Sequence, residues 1–189
     1  MDISQVAHPG GVADYTQNLA ENLTKINALE MIFFYSSLRK PYSGNLPNVL
    51  SYPIPPKFLE IILNQWRIFG IDKLVGKIDI FHSSDWIQPK TKAKKVTTYH
   101  DLIPLKFPQW SHPKIVRVHR KRLELVEREV DMVIAVSQST KKDLLDVARQ
   151  MNIKKAESII NEIAEVFNHW EIYADKVQLE SEEAKCVIF

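Results

Sequence analysis

Four places in this 189-residue chain set side chains or backbone where chemistry could be done. The first is His100-Asp101, which closes the run Val96-Thr-Thr-Tyr. An imidazole at a strand end can hydrogen-bond a substrate hydroxyl, and the adjacent carboxylate can orient the ring or accept from the substrate. In open parallel sheets that carboxyl edge is where ligands bind. The plainer alternative is a hydrogen-bonded loop pair. The second is Gly10-Gly11, after His8-Pro9 and before a helical pattern. Such a turn offers backbone N–H groups and the positive end of a helix dipole to an anion such as a phosphate group. A Cβ there would obstruct close approach; the alternative is an ordinary β-to-α turn. The third is His82, Ser84 and Asp85 at the end of another strand, able to touch a bound ligand on the same edge, or else forming a capped loop. The fourth is Ser137 with Thr140 at a helix start. Capping accounts for Ser137 at about 1 kcal/mol, with a cleft role as the lesser reading.

The elements that must position these groups alternate. Ile3–Val6 reads as the end of a strand, and Val12, Tyr15, Leu19, Leu23 and Ile26 recur at helical spacing. Met31–Tyr35 and Val49–Ile54 read as strands, separated by a turn-rich loop over 38–48. Phe58–Ile71 is apolar at helical period. Strands follow at Ile78–His82, Val96–His100 and Met132–Val136, with a basic amphipathic helix over Ile115–Val130 and a helix from about Gln138. Strands separated by helices predict an α/β, Rossmann-like fold with a mostly parallel sheet and helices on both faces. The nearly all-apolar strands Asp79-Ile-Phe and Met132-Val-Ile-Ala-Val suit a sheet covered on both sides.

Composition narrows the classes. Charged residues make up 25% and the formal net charge is +2, so no global field calls for nucleic acid. One cysteine excludes an internal disulfide and a cysteine-cluster metal site, and no metal is expected. No apolar run reaches the roughly 18 residues of a membrane span, and no secretory signal is expected from Met-Asp-Ile-Ser-Gln, which has neither a basic n-region nor an apolar h-region. Lys90, Lys92, Lys94 and Lys95 form a basic loop, and Lys114, Arg117, Arg120, Lys121 and Arg122 a basic stretch of helix. The default for both is a solvated face; the alternative is an anionic lipid surface.

In order along the chain, four segments now carry a pattern. His8-Pro-Gly-Gly-Val-Ala-Asp-Tyr15 resembles the Gly-Gly-x-x-x-Tyr turn of retaining GT-B glycosyltransferases of family 4. Asp79-Ile-Phe-His-Ser-Ser-Asp-Trp86 resembles that family's next signature strand. The stretch from Val96 through His100-Asp101 to Pro108 is similar to its His-Asp loop, and Asp131 to Asp143 to its Ser-x-x-Ser/Thr-x-x-Asp segment. The resemblance covers roughly 2–148 and is greatest to the mannosyltransferase-like branch. It implies the N-terminal, acceptor-side half of a two-domain enzyme, with the nucleotide-sugar held mostly by a second domain. The donor would be a GDP- or UDP-hexose, with no further cofactor, and the acceptor a sugar or a lipid-linked sugar. Gly10 and Gly11 would meet the donor phosphates. His100 and Asp101 would be catalytic, and His82, Ser84, Asp85 and Ser137 would contact sugar or acceptor. A bacterial source and a cytoplasmic place, with peripheral contact at the inner face of the membrane, are also implied. The family's first strand usually begins earlier, so Met1 is expected to be an internal methionine. With no donor-side domain in view, the chain is expected to be a truncated or split enzyme, inactive alone or completed by a separate donor-domain chain. The rival is a non-catalytic interaction module derived from such an enzyme.

Residues 149–189 read as a helical tail, with Ala156, Ile159, Ile160, Ile163, Val166 and Phe167 on one stripe. Its 147–178 stretch weakly resembles the C-terminal end of HipA-type kinase toxins, without their ATP-binding residues. Glu157 and Glu165 have the family's Glu-x7-Glu spacing but no glycine near them. Cys186-Val-Ile-Phe189 satisfies a prenylation pattern, against an acidic approach of Glu180, Glu182 and Glu183.

Overall fold

A computed structural model describes residues 1–151. Helix α1 spans Gly11–Leu23, strand β1 Phe33–Ser36 and strand β2 Val49–Tyr52. Helix α2, Pro56–Leu59, runs into a wider π turn over Glu60–Trp66, and α3 is Asp72–Val75. Strands β3, Ile80–Ser83, and β4, Lys94–Tyr99, follow. Then come α4, Ile103–Lys106, α5, Pro113–Glu129, β5, Met132–Ala135, and α6, Gln138–Gln150. The tail expectations on 152–189, including the apolar stripe, the two glutamates and the C-terminal cysteine, lie outside the described residues.

Every ladder is parallel. β1 pairs with β2 from Phe33↔Val49 to Ser36↔Tyr52, and β4 pairs with both β3 and β5. Residues 1–3 join the two ladders. Ile3 N–H donates to Phe34 O at 2.8 Å, Phe34 N–H to Met1 O at 2.9 Å, and Asp2 N–H to His82 O at 2.9 Å. The resulting order is β2, β1, residues 1–3, β3, β4, β5. Chain order reverses at residues 1–3, which makes the crevice beside them a topological switch point.

Two expectations about the elements need correction. Ile3–Val6 is not a strand end: pairing stops at Ile3 and Ser4–Ala7 form a 3-10 turn. Asp2 Oδ1 accepts from Ser4 N–H at 2.9 Å and from the Ser4 hydroxyl at 2.6 Å, and this Asx-type turn lifts the chain off the sheet. Nor is Phe58–Ile71 one helix. Arg67 takes the left-handed conformation, φ 52°, and ends it. Gly70 then bridges to Lys90, where an added Cβ would sit 2.8 Å from Lys90 O.

Burial explains the rest. β1 is buried at all four positions and β4 at four of six. Tyr99, Leu102, Leu123, Val126, Val133, Leu144 and Val147 form one cluster that locks β4, β5, α5 and α6 together. A second cluster, around Phe34, Leu63, Ile71 and Phe81, packs the 56–75 segment onto β1 and β3. His112 Nδ1 accepts from Lys114 N–H at 3.2 Å and Pro113 stands in the first turn, which fixes the start of α5. The basic loop and helix are not wholly solvated. Lys95 and Arg122 are 2% and 1% exposed, and Lys95 Nζ lies 3.3 Å from Glu129 Oε2. A solvated face is therefore wrong for these two residues, because the alternation of β4 and the phase of α5 turn them inward.

Leu123 is 3% exposed at the centre of the cluster behind β4. Leu123→Ala is expected to lower the unfolding free energy by about 2–5 kcal/mol, measured by urea denaturation, because the cavity adds to the lost transfer energy.

Candidate functional site

The carboxyl edge of the sheet gathers the candidate residues at the switch point. A shallow pocket there is lined by Asp2, Tyr15, His82, Asp85, Thr98 and His100 among others. His82 is the third residue of β3, and its Nε2 lies 2.9 Å from Thr98 Oγ1. His100 directly follows β4. Its ring stands edge-on to Tyr15 of α1, centroids 4.9 Å apart, and Tyr15 Oη is 3.5 Å from Thr98 Oγ1. Its backbone is held too: the Thr140 hydroxyl donates to His100 O at 3.1 Å. Thr140 is itself fixed by Ser137, whose Oγ accepts from Thr140 N–H at 3.0 Å and caps α6. Ser137 is therefore linked to the histidine backbone through the Thr140 hydroxyl.

The carboxylate that faces His100 is Asp85. Asp85 Oδ2 lies 3.8 Å from His100 Nε2, inside ion-pair range and beyond hydrogen-bond length. Asp85 Oδ1 lies 3.0 Å from Arg122 Nη2, off the hydrogen-bond line, so charge holds this pair. Asp101 is exposed, and its Oδ1 accepts from Ile103 N–H at 3.1 Å at the entry to α4. Asp85 and Tyr15, rather than Asp101, are therefore the side chains that stand against the imidazole. Ser84 is buried behind the site, its carbonyl accepting from the Gln88 amide at 3.3 Å.

Gly10 stands at the N-cap of α1 with φ 145°, a conformation that favours glycine, and no side chain caps this helix end. A Cβ added at Gly10 or at Gly11 would meet nothing within 4 Å, so the space before the helix is open. Tyr15 follows one turn later, about 6 Å along the axis, and links this end to the histidine cluster.

Burial governs the protonation of the cluster. His82 is pushed down to about 4 from its ordinary 6.5, first by burial, then by the N-terminal amine and His100, with Asp85 opposing. His100 is lowered, first by burial, while Asp85 works to raise it. Burial raises the Tyr15 phenol and the Asp2 carboxyl. At neutral pH both imidazoles are therefore neutral and able to donate from one nitrogen and accept at the other. Among the described residues no group of three or more His, Cys, Asp or Glu could hold a metal ion, and no helix is long and apolar enough to cross a membrane.

Three contributors were not singled out as site residues from the sequence: Tyr15, Thr98 and Arg122. Tyr15 already stood in the Gly-Gly-x-x-x-Tyr spacing. Arg122 falls in helical phase with Val116, Val126 and His119, a signal that marks a buried side chain.

A neutral buried histidine weakens the fold in acid. Above pH 6.5 both folded and unfolded chains carry neutral His82; as pH falls towards about 4 only the unfolded chain takes up the proton. The stability held above 6.5 is therefore lost across that window. His100 and His119 act in the same direction, and the raised Asp2 carboxyl against it. Thermal melts from pH 7 to 4 are expected to show Tm falling, with a shallower fall for His82→Gln.

Comparison with known proteins identifies the family. Residues 9–154, well over half the chain, match the family model described as Glycosyltransferase Family 4. No curated protein and no solved structure gives a match. A parallel α/β sheet with its polar cluster at the switch point, bearing that family's sequence pattern, places this chain in glycosyltransferase family 4.

Proposed function

We propose that residues 1–151 form the acceptor-side half of a retaining glycosyltransferase that moves a hexosyl group, mannosyl in the first instance, from a nucleotide-sugar. The observation that carries this reading is the meeting of His100, Asp85, His82 and Tyr15 beside the open Gly10–Gly11 helix end. Departure of a nucleoside diphosphate leaves negative charge on phosphate oxygens. The free N–H groups of the first turn of α1 are pre-oriented donors for that charge. His100, neutral and braced by Tyr15, hydrogen-bonds a hydroxyl of the transferred sugar or of the acceptor. Asp85 orients it, and Asp101, exposed beside it, is available on the acceptor side. The acceptor is a sugar or a lipid-linked sugar, the latter reached from the inner membrane surface. A donor-side domain across the cleft completes the nucleotide site.

The test supplies that domain in trans, taken from another family member, with GDP-mannose and UDP-glucose as donors. The readout is nucleoside diphosphate release in the presence of candidate acceptors. Turnover is expected, with kcat/KM lowered about 10²-fold by His100→Ala while the far-ultraviolet dichroism is unchanged. A full rate in His100→Ala would remove the histidine from the mechanism. A stable complex without turnover, indifferent to His100→Ala, would favour a non-catalytic interaction module.

A further inference from the structure

Arg122 lies on α5, away from every motif that marks the site, yet its guanidinium ends behind His100. The side chain is 1% exposed. Its Nη2 donates to Thr98 O at 2.7 Å and to Thr97 Oγ1 at 3.1 Å, and the guanidinium carbon lies 3.9 Å from the centre of the Tyr99 ring. The group is thus fixed against three successive residues of β4, the strand that leads directly into His100. Asp85 sits on the loop after β3 with 18% of its side chain exposed. Among the described residues its carboxylate lies within 4 Å of the Arg122 guanidinium and of the His100 ring, the latter an ion pair only when protonated. A carboxylate on a short loop would otherwise be free to turn towards water, and the fixed cation at 3.0 Å holds it inward.

We propose, building on the glycosyltransferase reading above, that Arg122 is a positioning residue: anchored on β4, it holds one oxygen of Asp85 so that the other faces His100 Nε2. One carboxylate then bridges a permanent cation and the imidazole that meets the sugar hydroxyl. Its negative charge near the ring tempers the effect of burial on the imidazole, and Arg122 fixes how near that charge stands. Asp2, Tyr15 of α1, His82 of β3 and Asp101 also stand around His100, and His119 of α5 is coupled to the same Asp85 and Arg122; all are kept in the test.

A purely structural counter-ion and a positioning residue differ in one readout, the titration of His100 when charge is kept and the hold is lost. The full chain, labelled with 13C and 15N histidine, is titrated by NMR from pH 4 to 8. His100 is assigned with His100→Gln. Asp85→Asn is expected to lower the His100 midpoint by about one pH unit, as loss of an adjacent opposite charge requires. Arg122→Lys keeps the charge but cannot grip Thr97, Thr98 and Asp85 together. It is expected to lower the midpoint by about half as much, and the double variant no further than Asp85→Asn alone. A native midpoint in Arg122→Lys, or shifts that add in the double variant, would overturn the proposal. If Arg122→Lys does not fold, Thr97→Val removes one anchor with every charge in place. It too is expected to lower the midpoint, and a native value there overturns the proposal equally. This titration needs no turnover, so failure of sugar transfer in trans would leave its outcome standing.

Discussion

A guanidinium cannot shed its charge, so a buried arginine dictates the arrangement of whatever surrounds it. Arg122 obliges the carbonyl of Thr98, the hydroxyl of Thr97, the carboxylate of Asp85 and the face of Tyr99 to converge on one point. These groups come from β4 and from the loop after β3. Together they fix the distance between the two strand ends that bear His82 and His100. Removing one partner from such a set leaves an uncompensated charge, which is costlier than never having built it. The site and the packing of α5 on the sheet are therefore one structural problem with one solution.

The second constraint is the join made by residues 1–3. Hydrogen bonds to Phe34 on one side and His82 on the other turn two separate ladders into one sheet. This is also where strand order reverses, so a crevice opens beside the join, lined by Tyr15 of α1 together with His82 and His100. The short Asx-type turn at Asp2 and Ser4 is what allows the chain to leave the sheet before it would cover that crevice.

Much of this was written in the local sequence. The alternation of apolar runs with helical periods placed α1, β1 to β5, α5 and α6 near their observed bounds. The Pro-Gly-Gly turn and the Ser137 cap are local signals with local causes. The 56–75 segment was misread as a single helix because Arg67 and Gly70 break it through a left-handed residue and a contact with distant Lys90. Ile3–Val6 was misread because an Asx-type turn competes with strand pairing over only a few residues.

The residue types and order alone determined the family, the α/β class and the strand ends on which His82 and His100 sit. Spacing along a chain fixes secondary structure and the edge of a sheet a residue must reach. Tertiary structure alone decided which carboxylate faces His100, since Asp101 is its neighbour in sequence and Asp85 its neighbour in space. It alone decided which partners Arg122 and Lys95 meet once the periods of α5 and β4 turn them inward, Asp85 for one and Glu129 for the other. Charge pairing across elements depends on the angle at which α5 crosses the sheet and on the path of the loop after β3. Both are set by long-range packing, and no local pattern of residues records them.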